Sequence, residues 1–78
     1  SGVTKELRFT NREGKYFWSN GFSFGTARIS KDQKGMTVDL NVLNGSLEFN
    51  MVQIKGAGSE TFRRPIRIGT GESFTVYC

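Results

Sequence analysis

The sequence predicts an all-β fold, a small antiparallel β-sandwich of about seven strands, with a partly open barrel of the OB kind as the alternative. Apolar and polar residues alternate along short segments of the chain. Turn-forming residues interrupt these segments about every 8 to 12 positions, a spacing typical of sandwiches and barrels. No window of about 12 residues has a helical period. The chain of 78 residues is long enough for one domain, spanning residues 1–78.

The first strands follow from this alternation, taken in chain order. Val3, Lys5, Leu7 and Phe9 share one face of the first strand, because side chains two residues apart point the same way. Turn residues then separate three further extended segments, which are predicted at residues 15–20, 22–30 and 36–43.

The dipeptide Asn44-Gly45 predicts a β-hairpin. It is favoured in two-residue type I′ turns, which need φ above zero at both positions. Closing such a turn puts three apolar pairs on one face and the polar residues between them on the other. The apolar pairs are Val42 with Leu47, Leu40 with Phe49 and Val38 with Met51, and on the polar face Asn41 is opposite Glu48 and Asp39 opposite Asn50.

Two breaks in the alternation predict β-bulges. One apolar row runs over odd positions as far as Met51 and then switches to even positions at Val52. An earlier row switches from even to odd positions around Gly25. A bulge inserts one extra residue into a strand and so shifts the row to the other parity, and glycine is a usual place for one.

The last third of the chain predicts two more strands. Pro65 lacks the N–H that a central strand must donate, so residues 61–68 are expected to form an edge strand. A turn at residues 69–72 leads into a closing strand at 73–78, with Phe74 and Val76 facing inward.

The composition argues against catalysis. The chain has no histidine and one cysteine, Cys78, so an internal disulfide, a histidine-based triad and the usual zinc sites are excluded. The seven carboxylates fall mostly on predicted outward faces or in turns, where a solvated surface explains them. Gly69-Thr70-Gly71 lacks the lysine and the following helix of a phosphate loop. The sequence therefore predicts a protein that is not an enzyme and that uses no cofactor or metal.

The net charge and the hydropathy limit the classes of binding partner that the sequence predicts. A net charge of +4 modestly favours anionic partners without identifying nucleic acid. No apolar run approaches the roughly 20 residues needed to span a bilayer, and neither a signal peptide nor a membrane partner is expected.

The opening Ser1-Gly2 is interpreted as a cloning remnant, and the missing initiator Met suggests a fragment or a processed chain.

The aromatic run "YFWSNGFSFG" at residues 16–25 is the first candidate site. Phe17, Phe22 and Phe24 have no polar atom to satisfy, so they are expected in the core. Tyr16 and Trp18 tolerate partial exposure and, if exposed together, would form a flat platform for a sugar ring or a nucleobase. The alternative is that Trp18 covers an open end of the sandwich.

The second candidate is the arginine-rich segment around Pro65. Arg63, Arg64 and Arg67 could grip a phosphate, sulfate or carboxylate group, or form a contact between domains. The competing interpretation is that charge and proline protect an exposed edge strand against pairing with another sheet.

Two stretches, "YFWSNGFSFGTARIS" and "TVDLNVLNGSLEF", carry a resemblance to a known family. The aromatic–Asn–Gly–aromatic–Gly–Thr segment, followed by a Val-Leu-rich strand and an Asn-Gly dipeptide, resembles the small C-terminal β-rich domain of bacterial six-hairpin glycoside hydrolases. It covers roughly residues 15 to 76. The resemblance implies an accessory domain beside a catalytic (α/α)6 barrel, which this chain lacks, and no catalytic residue is carried over.

The predicted function is a non-catalytic accessory or binding module associated with a carbohydrate-active enzyme, its partner being that catalytic domain or carbohydrate. One alternative is a single-stranded nucleic-acid binder of the OB or cold-shock kind, which fits the basic charge and the aromatic run. Against it, Asn20 precedes Gly21 where cold-shock domains have a lysine, and Ser23 separates Phe22 from Phe24. The other alternative is a protein-interaction module that uses an edge strand.

Overall fold

Seven β-strands form two sheets in the computed structural model, which describes residues 5–78. The predicted sandwich is confirmed, and two separate sheets replace the barrel alternative. Val3 and Ser1-Gly2 lie outside the described residues. The strands are β1 (Lys5–Phe9), β2 (Gly14–Ser19), β3 (Phe24–Asp32), β4 (Gly35–Asn44), β5 (Ser46–Ile54), β6 (Gly58–Gly69) and β7 (Ser73–Tyr77).

The two sheets differ in size and in strand direction. The four-stranded sheet has the order β2-β3-β4-β7 and is antiparallel throughout. The three-stranded sheet has the order β1-β5-β6, with β1 parallel to β5 and β6 antiparallel to it. The chain crosses from one sheet to the other after β1, β4 and β6, so each sheet is assembled from non-consecutive parts of the sequence.

The core lies between the inner faces of the sheets and is built from the alternating apolar rows. Phe49, Phe62 and Phe74 form a cluster of edge-to-face rings with centroids 5.9–6.1 Å apart, joining β5, β6 and β7. The buried apolar residues are Ala27, Ile29, Met36, Val38, Leu40, Val42, Leu47, Phe49, Val52, Ile54, Ile68 and Val76.

The predicted hairpin at Asn44-Gly45 is wrong. β4 and β5 belong to different sheets, and Leu40 pairs with Ala27 on one side and with Phe74 on the other, instead of with Phe49. The polar pairs fail for the same reason. Asn41 lies between Thr26 and Ser73, Asp39 lies between Arg28 and Thr75, and Glu48 pairs with Arg67.

Gly45 shows why the chain crosses between sheets at this point. Gly45 has φ +92°, whereas no residue other than glycine has a positive φ within residues 5–78, so Asn44 cannot occupy a type I′ turn. The Thr70 hydroxyl accepts a hydrogen bond from Gly45 N–H at 2.9 Å and donates one to its carbonyl oxygen at 3.1 Å. A Cβ at Gly45 would lie 2.5 Å from Ser23 Cβ, so two neighbouring loops enclose the crossing.

The predicted inward faces of these two strands are nevertheless correct except at Met51, which is half-buried and lies outside the core cluster. Val38, Leu40 and Val42 on β4 are buried, as are Leu47 and Phe49 on β5. Both a hairpin and a pair of facing strands put the same apolar rows out of water, because the alternation assigns residues to a face and not to a neighbour.

The bulge predicted on β5 is confirmed, whereas the one predicted around Gly25 on β3 lies on the neighbouring strand β4, and β3 keeps a single inward row of Gly25, Ala27 and Ile29. The register of β3 with β4 shifts between Phe24 and Gly25, and the extra residue is Leu43 on β4. On β5 the pairing passes from Phe49 to Met51 against both neighbouring strands and skips Asn50. These shifts reverse the inward parity of β5 and bring Val52 and Ile54 into the core.

The ends of the chain follow the sequence predictions closely. In β1, Leu7 and Phe9 are half-buried whereas Glu6 and Arg8 are exposed. In β7, Val76 is buried and Phe74 packs against the core. Within residues 5–78 no helix has the length and apolar character needed to cross a membrane.

Candidate ligand-binding face

The aromatic run forms the β2–β3 hairpin and divides its rings between two faces. Tyr16 and Trp18 point inward and pack against the core. Phe17 is 77% exposed, Phe22 91% and Phe24 42%, so the prediction that these three phenylalanines are core residues is wrong. The exposed aromatic surface of this hairpin therefore consists of phenylalanine rings, and Tyr16 and Trp18 do not form the exposed pair that a stacking platform would need.

Gly25 explains why Trp18 faces inward. The two residues are directly paired across β2 and β3, and a Cβ at Gly25 would overlap the Asn41 carbonyl oxygen and lie 2.6 Å from Trp18 Cζ2. The indole therefore occupies the space that a side chain at Gly25 would need, and its Nε1–H donates to the Thr26 carbonyl at 3.1 Å. Trp18 thus covers the inner face of the sheet at Gly25, on the edge strand β2.

The polar atom of Tyr16, like that of Trp18, has a hydrogen-bond partner in the backbone. Its ring packs against the core, and its hydroxyl donates a 2.8 Å hydrogen bond to the Arg12 carbonyl oxygen. Because the polar atoms of Tyr16 and Trp18 both have partners within the fold, the two rings meet the usual requirement for a buried aromatic residue with a polar atom.

The loop between β2 and β3 holds Phe22 in the solvent. Asn20 Oδ1 accepts hydrogen bonds from the N–H groups of Phe22 at 3.1 Å and Ser23 at 2.8 Å, and from the Ser23 hydroxyl at 2.9 Å. Ser23 is buried, with its Cβ side against Gly45. The turn is thus ordered by one carboxamide while the Phe22 ring makes little contact with the protein.

Adjoining shallow depressions lie on the outer face of the four-stranded sheet. Phe17 and Phe24 line one shallow depression, which continues past Leu43 into a polar one. Leu43 is 50% exposed, and the alternation of β4 places it on the same face as Asp39 and Asn41. We call this surface the outer-face groove; its outward residues are Lys15, Phe17, Phe24, Thr26, Arg28, Asp39, Asn41, Leu43, Ser73 and Thr75, and Tyr16, Trp18 and Ser19 also border its depressions.

The strand register arranges the polar part of the groove in two rows. One row crosses the sheet as Lys15, Arg28, Asp39 and Thr75, and the next as Phe17, Thr26, Asn41 and Ser73. In the first row the Thr75 hydroxyl donates a 2.6 Å hydrogen bond to Asp39 Oδ1. The groove therefore offers hydroxyl, amide and charged groups beside an apolar end.

The arginine-rich segment lies on the other sheet. β6 is an edge strand, as Pro65 predicted, and its residues 62–65 have no partner on β5 because the register jumps from Thr61 to Ile66. Arg63, Arg64 and Arg67 are all exposed. None of the three forms an ion pair or side-chain hydrogen bond with another residue of the described part, and nothing brings them to the outer-face groove.

Cys78 is the one thiol of the chain, and its surroundings make it a weak nucleophile. Its backbone pairs with Met36, donating at 2.8 Å and accepting at 3.3 Å, and its side chain packs against the core. Burial, and secondly the Glu60 carboxylate, raise the pKa of the Cys78 thiol, so the reactive thiolate is scarce near neutral pH. Within residues 5–78 no three histidine, cysteine or carboxylate side chains cluster as metal ligands would.

Sequence reasoning missed the outward residues of the groove, especially Phe17, Arg28 and Leu43. One signal was present, since Lys15 has the same parity as Phe17 and a lysine marks the solvent face of a strand. A second was Gly25, which leaves a gap in the inward row that Trp18 on the neighbouring strand can fill. A third was parity, because Leu43 has an odd position like Asp39 and Asn41, whereas the inward row of β4 runs over even positions.

Comparison of the chain with protein-family models, curated proteins and solved structures finds no match.

Proposed function

We propose that this chain is a non-catalytic binding module that attaches to carbohydrate through the outer-face groove, as an accessory to a carbohydrate-active catalytic domain. The observation that carries the proposal is the exposure of Phe17 and Phe24 on a sheet face where both rings could have been replaced by polar residues without loss to the core. Large apolar side chains grouped at the surface are characteristic of interaction sites.

The chemistry of the groove matches a sugar. A pyranose has apolar C–H faces, which stack on an aromatic ring, and hydroxyl groups, which need hydrogen-bond partners. Phe17 and Phe24 supply rings, while Thr26, Asn41 and Ser73 supply hydroxyl and amide groups in the same cross-strand row as Phe17. Few polar groups beside apolar walls are the usual composition of a small-ligand site.

The link to a catalytic domain rests on the resemblance of residues 15–76 to the β-rich domain of six-hairpin glycoside hydrolases. In that setting the exposed arginines of β6 provide a separate surface for the partner domain, since they lie on the three-stranded sheet and leave the groove free. Arg63, Arg64 and Arg67 are thus assigned to contact between domains.

Binding to a panel of soluble polysaccharides, measured by affinity electrophoresis and then by calorimetry, tests the proposal. We expect Phe17→Ala and Phe24→Ala each to weaken binding about tenfold, equivalent to roughly 1.4 kcal/mol. Tyr77→Ala is the matched control, because Tyr77 is a 72% exposed aromatic on the same sheet, in the strand at the opposite edge from β2. Three strand spacings of about 4.8 Å separate these edges.

Three results would contradict the proposal. If the protein bound no polysaccharide, the carbohydrate function would be wrong. If Tyr77→Ala and Phe17→Ala lowered the affinity equally, the groove would not be the binding site. Tight binding of single-stranded oligonucleotides with a steep salt dependence would favour the nucleic-acid alternative instead.

A further inference from the structure

Two cationic side chains lie directly opposite each other in the outer-face groove. Lys15 on β2 and Arg28 on β3 are paired residues of an antiparallel ladder, and both are exposed. Side chains directly opposite each other have Cβ atoms about 4.5–5.5 Å apart, and like charges in this position destabilise a sheet. The repulsion between the two positive charges lowers the stability of the sheet, and an anion bound between them would offset that repulsion.

Neither cation is neutralised by a neighbour in the described part of the chain. The ion pair found within residues 5–78 joins Arg8 to Glu6 on the other sheet. Arg28 is also paired with Asp39 on β4, but the two side chains do not come within ion-pair distance, and one Asp39 oxygen accepts the Thr75 hydroxyl at 2.6 Å. The guanidinium of Arg28 is therefore available to a ligand.

The cations are placed beside the exposed ring that the proposed function assigns to sugar stacking. Lys15 and Phe17 are alternate residues of β2 on the same face, and both border the depression that contains Thr26 and Leu43. Two residues of a strand span about 6.6–6.8 Å. A single sugar ring lying on Phe17 can therefore bring a charged substituent to Lys15 and Arg28.

We infer that the outer-face groove selects a glycan that carries an anionic group, a carboxylate or a sulfate, held between Lys15 and Arg28 while its ring lies on Phe17. This inference rests on the proposed carbohydrate function. Arginine matches both anions because its planar guanidinium donates two parallel hydrogen bonds to a pair of oxygens, and lysine adds a second charge.

The groove fits one anionic sugar better than a nucleic-acid strand. A strand of nucleic acid presents one phosphate per nucleotide and is held by a basic groove that follows the backbone. Here the cations are confined to one pair, and the next position of the same row is Asp39, whose carboxylate repels phosphate. Beyond it the row continues with the uncharged Thr75.

Oligosaccharides of equal length test the inference, one set containing uronic acid, one carrying sulfate esters and one neutral. We expect the favoured anionic set to bind at least tenfold more tightly than the neutral set at low salt. Lys15→Gln and Arg28→Gln should each weaken binding of that set about tenfold and weaken binding of the neutral set much less. The carboxylate and sulfate sets identify which anion the groove takes.

Arg63→Gln is the matched control, since it removes the same charge from an exposed arginine on the other sheet. It should leave both affinities unchanged, and thermal unfolding of every variant checks that the fold persists. Because Lys15→Gln relieves a repulsion, it should not lower the melting temperature, whereas Arg28→Gln also removes the positive charge opposite Asp39 and should change the melting temperature little.

The possible results distinguish a failure of the anionic-glycan inference from a failure of the proposed carbohydrate function. Equal binding of neutral and anionic sets, or equal losses from Arg63→Gln and Arg28→Gln, overturns the inference and leaves the carbohydrate function standing. Binding to no glycan removes both. A single-stranded oligonucleotide that binds more tightly than every glycan, and loses affinity in Phe17→Ala, also overturns both.

Discussion

Asn20 is the residue on which the aromatic hairpin most depends. Its side-chain oxygen is the acceptor for two backbone N–H groups and one hydroxyl, all from the two residues that lead into β3. Asparagine commonly closes turns in this way, because its short side chain reaches the backbone two or three residues further on. The Phe22 ring is held in solvent as a result, with Ser23 turned inward beneath it.

Replacing Asn20 should therefore destabilise the protein more than replacing the other candidate turn asparagine. Asn20→Ala leaves the buried Ser23 hydroxyl and two N–H groups without their acceptor, and we expect a loss of about 1–3 kcal/mol in the free energy of unfolding. The measurement is urea unfolding followed by Trp18 fluorescence.

Asn44→Ala is the control for this prediction. Asn44 is exposed, has no positive φ and makes no side-chain hydrogen bond to another described residue, so the expected change is within about 0.5 kcal/mol. A type I′ hairpin at Asn44-Gly45 would require a positive φ there, and alanine would then be clearly destabilising. A larger loss at Asn44 than at Asn20 would contradict the arrangement of both loops.

For single residues, the sequence shows which side chains share a face of a strand, but it does not reliably show which of the two faces is buried. Alternation places Phe17 opposite to Tyr16 and Trp18, as the structure has it. Residue type alone favours burying phenylalanine over tryptophan and tyrosine, and here that preference is reversed. The reversal comes from Gly25, whose missing side chain leaves room for the indole, together with the backbone acceptors that satisfy both polar rings.

At the scale of elements, β6 shows how an edge strand can be irregular and still contribute to the core. Its pairing with β5 is interrupted at residues 62–65, where Pro65 could not have donated to the ladder. Within this interruption Phe62 turns inward against Phe49 and Phe74, while Arg63 and Arg64 remain exposed. An interrupted, charged edge also discourages pairing with another sheet.

We therefore expect the Phe62 ring to contribute strongly to the free energy of unfolding, although it lies in an unpaired part of an edge strand. Phe62→Ala removes two edge-to-face contacts within the cluster that joins both sheets, and we expect a loss of about 2–4 kcal/mol. Phe17→Ala, which truncates the same side chain on the solvent face, should cost no more than about 0.5 kcal/mol. Thermal and urea unfolding measure both.

Equal effects of these two substitutions would contradict the placement of β6. If Phe62→Ala were silent, the interrupted segment would have to lie away from the core. A large loss from Phe17→Ala would mean that its ring is buried, and the outer-face groove would then lose its apolar end.

At the scale of the whole molecule, the arrangement of strands is decided by the crossings between sheets. β4 lies between β3 and β7, and β5 between β1 and β6, so the consecutive strands β4 and β5 belong to different sheets on either side of the core. The loop at residues 69–72 helps to hold this arrangement. Val42 N–H donates to the Glu72 carbonyl at 3.0 Å, and Gly71 N–H donates to the Val42 carbonyl at 2.9 Å.

Nuclear Overhauser effects between backbone protons test this topology directly. We expect contacts of Leu40 with Ala27 and Phe74, which are its neighbours on the two sides, and contacts of Phe49 with Ile66. No backbone contact should join Leu40 to Phe49, because facing sheets are about 10 Å apart and paired strands about 4.8 Å. A backbone contact between Leu40 and Phe49 would restore the hairpin and exclude the observed pairing.

The sequence by itself determined the all-β class, the approximate positions of the strands, the inward rows of β4 and β7 and the bulge on β5. Each of these is a local property, since a period of two residues and a break in that period can be read within one segment. Only the tertiary structure decided which strands are neighbours and which rings of the aromatic hairpin face water. A row of apolar side chains is removed from water equally well by a strand in the same sheet or by one in the opposite sheet, so the row carries no information about its neighbour.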